Sequence, residues 1–312
     1  MSAPEAVRRT LRQRTLIQRV TFVARAALFA LVVVALVLPT ALGAIIMATL
    51  TAPVCGGETA PPMAHEDVNF PSTEFNRATP AYFIPAEQPD AAGAGATVIV
   101  APTGNAGRGD RMAEIAAYHA GGFAVLTYSG RTCVGGAANS LGYKEAAQVG
   151  DALAYLATRS DVDVNRVGIH GFSAGGAAAI MAAARYPVVR AVVAEGGYHD
   201  FVDEVERNTP ETLWFAPLFR FGARLSYRVL IGEDMSVLSP ISVIGQIAPR
   251  PILLVYGANE PGLDGARMQQ AAAGANAALW EVPGAGHGDY VAVAGDEYGR
   301  RVVGFMGEGL EN

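Results

Sequence analysis

The chain has 312 residues, 51% of them hydrophobic and only 17% charged, with a formal net charge of −6. Length alone allows one large or two ordinary domains. The negative charge speaks against a nucleic-acid partner, which needs a basic face, and the apolar content exceeds that of an ordinary soluble domain.

Much of that excess lies near the N-terminus. Residues 1–25 form a basic segment with arginines at 8, 9, 12, 14, 19 and 25, and no charged residue occurs from 26 to 57. About 20 apolar residues span a bilayer, so residues 26–50 are expected to be a transmembrane signal-anchor helix. The run is longer than the core of a cleavable signal. Cleavage near Ala44 or Ala52, giving a secreted protein, is the alternative, and a buried core helix is a third reading. Positive flanks of a first span stay in the cytoplasm, which would leave the remainder of the chain outside. Cys55 and Cys133 would then lie in an oxidising compartment that permits a disulfide. Two free thiols are the equal alternative, and the spacing fits neither a zinc site nor a redox pair.

Residues 51–65 read as a linker, and a domain is expected over 66–312. Short apolar runs at 66–70, 81–85, 97–101, 123–128, 166–170, 189–195, 251–256 and 278–282 predict strands. Helical stretches at 111–119, 144–158 and 174–185 separate several of them. Apolar strands alternating with helices indicate a mostly parallel sheet covered on both faces, an α/β fold. Residues 197–246 interrupt the alternation. In such sheets ligands bind beyond the carboxyl ends of the strands, so this insertion is expected to form a lid. His199, Trp214, Phe215 and Phe219 are its candidate pocket residues. Packing of its aromatics onto the core is the plainer reading.

Gly171-Phe172-Ser173-Ala174-Gly175 fits the G-x-S-x-G nucleophile elbow, with a strand before it and a small-residue helix after it, as the motif requires. A serine hydroxyl needs a base to take its proton. In this architecture the acid and then the histidine follow the serine. Of five histidines only His199 and His287 come after Ser173. His287, in a Gly-rich loop beyond the last strand, is the expected base, and His170 is expected to be a packing residue. Glu260 is the first carboxylate after the 251–256 strand and the first choice of acid, with Asp264 as the alternative and Asp200 behind it. The acid holds the imidazole in its working tautomer. An oxyanion hole needs two donors; the N–H of Ala174 is one. Asn105, in the loop 102–107, is the choice for the second, with Gly104 next.

From about 66 to 304 the chain resembles the α/β-hydrolase superfamily, especially its dienelactone-hydrolase and prolyl-oligopeptidase-like branches. The stretch VGIHGFSAGGAAAIMAAARYP looks like their elbow strand, elbow and helix. SPISVIGQIAPRPILLVYGANEPG looks like the approach to their acid strand, and VPGAGHGDY like their histidine loop. The resemblance implies Ser173 as nucleophile, Glu260 at the acid position and His287 as base. Two departures stand out: the acid position holds glutamate where aspartate is usual, and the oxyanion loop reads TGNAG where HG-x-G-G is common.

The expected activity is acyl transfer to water on a small-molecule ester or acyl substrate, with a membrane contact through residues 26–50. No cofactor and no metal are expected. A peptidase or acyltransferase on the same triad is the alternative within enzymes. A membrane-anchored binding protein with a non-catalytic hydrolase fold is the alternative outside them.

Overall fold

The computed structural model describes residues 3–87 and 95–311, with side chains from residue 16 onward. Helix α1 (Ala3–Leu50) runs without a break through both the basic segment and the apolar run, Pro39 included. The boundary expected at residue 26 is therefore a change in composition, not in structure. Its stretch Leu16–Leu50 is long and apolar enough to cross a membrane, and little of it is covered by protein.

The domain is built on one eight-stranded sheet. In chain order come β1 (Glu66–Pro71), β2 (Ala78–Ile84), β3 (Gly95–Ala101), α2 (Met112–Ala120), β4 (Ala124–Tyr128), α3 (Arg131–Gly135), α4 (Tyr143–Leu156), β5 (Val162–Phe172) and α5 (Ala174–Arg185). These are followed by β6 (Val189–Glu195), α6 (Phe201–Asn208), α7 (Ala216–Ile231), β7 (Ile252–Gly257), α8 (Leu263–Ala273), β8 (Ala277–Val282), α9 (Tyr290–Ala294) and α10 (Asp296–Glu311). The strand order is β1-β2-β4-β3-β5-β6-β7-β8. Strand β2 is antiparallel to both its neighbours, and β3 to β8 are mutually parallel. This is the α/β-hydrolase arrangement.

The parallel strands are buried on both faces, which accounts for their continuous apolar runs. Alternate residues of one strand serve opposite layers. Ile99, Ile169, Val192 and Leu254 pack with α4 and α5 residues such as Val149 and Ala182. Val98, Val193 and Val255 pack with Ile115 of α2 and with Val302 and Met306 of α10. The small side chains of α5 let that helix lie close against the sheet beneath the elbow.

A third cluster joins Met47 of α1 to Ala223, Tyr227 and Ile231 of α7, with Leu141 and Leu238. The insertion between β6 and β7 is thus packed against the end of α1. The segment expected as a linker is likewise pinned to the domain. Asn139 N–H donates to Thr51 O at 2.9 Å, and Thr132 Oγ1 to Val54 O at 3.0 Å. Tyr82 O–H reaches Glu58 O at 3.2 Å, while Arg108 pairs with the Glu58 carboxylate at 3.2 Å. Cys55 and Cys133 form a disulfide that closes a separation of 78 residues. Of the two thiol readings, the bridge is the one present. Linker composition missed this docking because most of its acceptors are backbone carbonyls, which carry no side-chain signature.

Candidate active site

Strand β5 ends at Phe172 and α5 begins at Ala174, so Ser173 is the single residue of the turn. Its backbone has φ 55° and ψ −124°. A non-glycine residue at positive φ is strained and persists only where its surroundings impose it. Here Ser173 N–H is held by Glu195 O at 2.7 Å. The flanking glycines are required by contact: a Cβ on Gly171 would stand 2.0 Å from Gly175 O, and one on Gly176 2.8 Å from Glu195 O.

Two further loops converge on this turn from the carboxyl ends of β7 and β8. His287 Nε2 lies 3.2 Å from Ser173 Oγ, and His287 Nδ1 lies 2.6 Å from Glu260 Oε1. The other Glu260 oxygen accepts from Gly257 N–H at 3.0 Å and from Tyr290 O–H at 2.7 Å. Glu260 is only 8% exposed. Burial alone would raise its carboxyl, but the hydrogen bonds from His287, Tyr290 and Gly257 outweigh it and hold the group below the usual carboxylate range. An ionised Glu260 then fixes Nδ1 as the protonated nitrogen and turns Nε2 toward the serine. Phe172 packs against the His287 ring with centroids 4.8 Å apart.

Asp264, the alternative acid, is elsewhere. It sits in the first turn of α8, paired with Arg267 at 3.1 Å on the surface. Asp200 caps α6 by accepting from Val202 and Asp203 N–H. His170 is fully buried, with Nδ1 2.9 Å from Tyr118 Oη. Tyr290 was not singled out from the sequence. Its position three residues after His287 was the available signal, because that spacing returns a hydroxyl to the carboxylate the histidine already holds. Burial first, and its bond to Glu260 second, push the Tyr290 phenol well up, so it remains a donor.

At the elbow, Ala174 is the first residue of α5, where a helix leaves its N–H groups free for an anion. The loop after β3 abuts this point, since a Cβ on Gly175 would meet Pro102 O at 3.0 Å. Within it, Ala106 N–H donates to Thr103 O and Gly107 N–H to Gly56 O. Among the described residues, the N–H groups of Thr103, Gly104 and Asn105 have no acceptor, and Asn105 lies on an exposed turn.

A cavity of about 630 Å³ opens beside His287 and Glu260. Its walls include Phe201 and Val205 of α6, Phe219 and Ala223 of α7, and Met47 of α1. Three expected pocket residues are not on it. His199 is 2% exposed and turned inward, with Nε2 2.7 Å from Asp203 and Nδ1 3.0 Å from Glu204. The bond to Glu204 raises its pKa, and Asp203 adds to that against the opposing effect of burial. With both ring nitrogens engaged by carboxylates, it is not available as a base to Ser173. Trp214 is 69% exposed and packs edge-on against Phe215. Both precede α7 on the turn that leads into it, so only Phe219, one turn further on, faces the cavity. The wall supplied by α1 was not foreseen, because a membrane span and a pocket wall have the same apolar composition.

Known structures share this fold. The α/β hydrolase GrgF from Penicillium sp. sh18 superposes with a TM-score of 0.61 at 17% identity, covering 80% of this chain and 100% of that one. An esterase of Pyrococcus furiosus gives 0.62 at 19% identity, covering 82% and 98%. A puromycin-hydrolyzing peptidase of Mycobacterium tuberculosis gives 0.59 at 20% identity, covering 79% of this chain and 40% of that one. No curated protein sequence matches. Residues 130–311, more than half of the chain and the part that carries Ser173, Glu260 and His287, match the prolyl oligopeptidase family. By that match the chain belongs to the prolyl oligopeptidase family of α/β-fold hydrolases.

Proposed function

We propose that the protein is a membrane-anchored serine hydrolase that cleaves carboxylic esters through an acyl-enzyme. The observation that carries this reading is the chain of contacts from Ser173 Oγ through the His287 ring to Glu260, 3.2 Å and 2.6 Å long, on a strained strand-to-helix turn. His287 Nε2 takes the Ser173 hydroxyl proton as Oγ bonds to the ester carbon. The carbonyl oxygen becomes an oxyanion, held by Ala174 N–H and by a donor of the 103–105 backbone, with Asn105 N–H as the candidate. Collapse breaks the bond to the alkoxy group, which leaves as the alcohol with the proton from His287. Water then attacks the acyl-enzyme with His287 again as base, regenerating Ser173 and releasing the acid. Glu260 keeps the imidazole oriented and stabilises the imidazolium.

The six arginines before the apolar run support an N-terminus in the cytoplasm and a domain outside it, where the Cys55–Cys133 bridge is at home. Retention of the span is supported by the cavity and by the helix contact: cleavage near Ala52 would remove Ile46, Met47 and Leu50 from a pocket they help to line, and cleavage near Ala44 would remove Thr40 and Gly43, which meet α7. Peptide-bond cleavage on the same residues is the second reading, favoured by the family match and by the likeness to the puromycin-hydrolyzing peptidase.

The full chain in detergent should hydrolyse p-nitrophenyl butyrate. Ser173→Ala and His287→Ala should each lower kcat by about a thousandfold or more, and Glu260→Gln by about a hundredfold or more. Asp264→Asn should stay within about twofold of the parent, as expected for an exposed ion pair. A folded parent inert to esters but active on peptide amides would favour the second reading, and full activity in Ser173→Ala would refute both.

A further inference from the structure

The end of α1 is not a tether. Its backbone meets that of α7 directly: a Cβ on Gly43 would lie 2.0 Å from Phe219 O, and one on Gly222 1.9 Å from Thr40 O. Small residues at such a crossing are how helices approach closely inside a bilayer. On the side of α7 away from the domain core, Leu218, Phe221, Leu225 and Val229 follow one another at three- and four-residue steps. That spacing places them on one face. Phe221 is 58% exposed and Val229 74%. An exposed apolar stripe of this kind marks an interaction surface, and here it runs alongside the exposed apolar surface of α1. Ile46 and Leu50 connect the two features. They line the cavity beside His287, are 43% and 47% exposed, and adjoin Ile45 of the same helix, which is 62% exposed. The cavity is therefore continuous with the surface that the span would present to lipid.

We infer that α7 sits in the same leaflet as the end of α1, and that the cavity takes the acyl chain of a long-chain carboxylic ester drawn from that bilayer. The occupant of the stripe is the lipid leaflet, and the substrate class is a membrane-resident acyl ester. This rests on the hydrolase reading above. Bond making and breaking are those already described, with a fatty acid and an alcohol as products. The acyl chain exchanges one apolar surrounding for another, so it loads without crossing water.

The test uses the full chain in phosphatidylcholine nanodiscs with two fluorogenic esters, 4-methylumbelliferyl butyrate and the bilayer-partitioned palmitate. The parent should prefer palmitate in kcat/KM by about tenfold or more. Leu50→Trp, which narrows the cavity, should depress palmitate cleavage by about tenfold more than butyrate cleavage. The double substitution Phe221→Asp with Val229→Asp should depress palmitate cleavage alone, leaving butyrate cleavage and fluorophosphonate labelling within about twofold. Butyrate preference in the parent, or equal losses on both esters in the variants, would overturn the inference while labelling and butyrate turnover still upheld the hydrolase. Absence of labelling and of turnover on either ester would overturn the hydrolase reading and this inference with it.

Discussion

The residues around Ser173 divide into those whose chemistry is set by local sequence and those set by distant partners. The elbow is local: strand, glycines and helix follow one another within a few positions, and each constrains the next. Order along the chain then ranked Glu260 ahead of Asp264, and the structure brings Glu260, not Asp264, to the imidazole. His199 shows the limit of such reasoning. It follows the serine and stands beside a strand end, but two carboxylates of α6 hold it. Amphipathic spacing in α6 gave no sign that those carboxylates would turn toward one imidazole. Its raised pKa has a consequence for stability. A cation favoured in the folded state stabilises fully below the ordinary histidine value of 6.5, and that contribution is lost as pH rises through the raised folded value. The melting temperature of His199→Gln should therefore lie furthest below that of the parent in mildly acidic solution, and the gap should close as the pH rises into the alkaline range. A gap that widened with pH would show the histidine to be neutral in the fold.

Among the elements, strands were the most legible, because strands buried on both faces are continuous apolar runs bounded by turns. Helices α8 and α10 were less so: α8 is rich in alanine and α10 in glycine, and their apolar positions make sense only against the sheet they cover. The pairing of α1 with α7 was illegible. Gly43 and Gly222 are nearly 180 positions apart, and a glycine in an apolar helix signals nothing until its partner is known. The contact makes a specific prediction. Gly222→Leu would drive a side chain into the Thr40 carbonyl, so the helices must separate or shift. Overpacking of this kind costs about 1–3 kcal/mol. The variant should melt several degrees below the parent in detergent, whereas Gly299→Leu, with open space around it, should not. Equal melting temperatures would mean that α1 and α7 do not meet as described.

Over the whole molecule, one arrangement unites the apolar N-terminus, the insertion and the catalytic candidates. The parallel sheet delivers Ser173, Glu260 and His287 to the carboxyl ends of β5, β7 and β8, where open α/β sheets place their ligands. The insertion leaves the same edge after β6 and carries α7 to the end of α1. The Cys55–Cys133 bridge and the hydrogen bonds of residues 51–58 keep that end in place. The apolar N-terminal helix and the pocket are one unit, which a division into span, linker and domain does not capture. The central claim remains the activated serine. Its most direct test is peptide-mapped mass spectrometry of the full chain after treatment with a fluorophosphonate. The expected result is one adduct, on Ser173, absent in Ser173→Ala and formed at least about a hundredfold more slowly in His287→Ala. An unmodified Ser173 in the folded parent, or an adduct that persists undiminished without His287, would contradict the account.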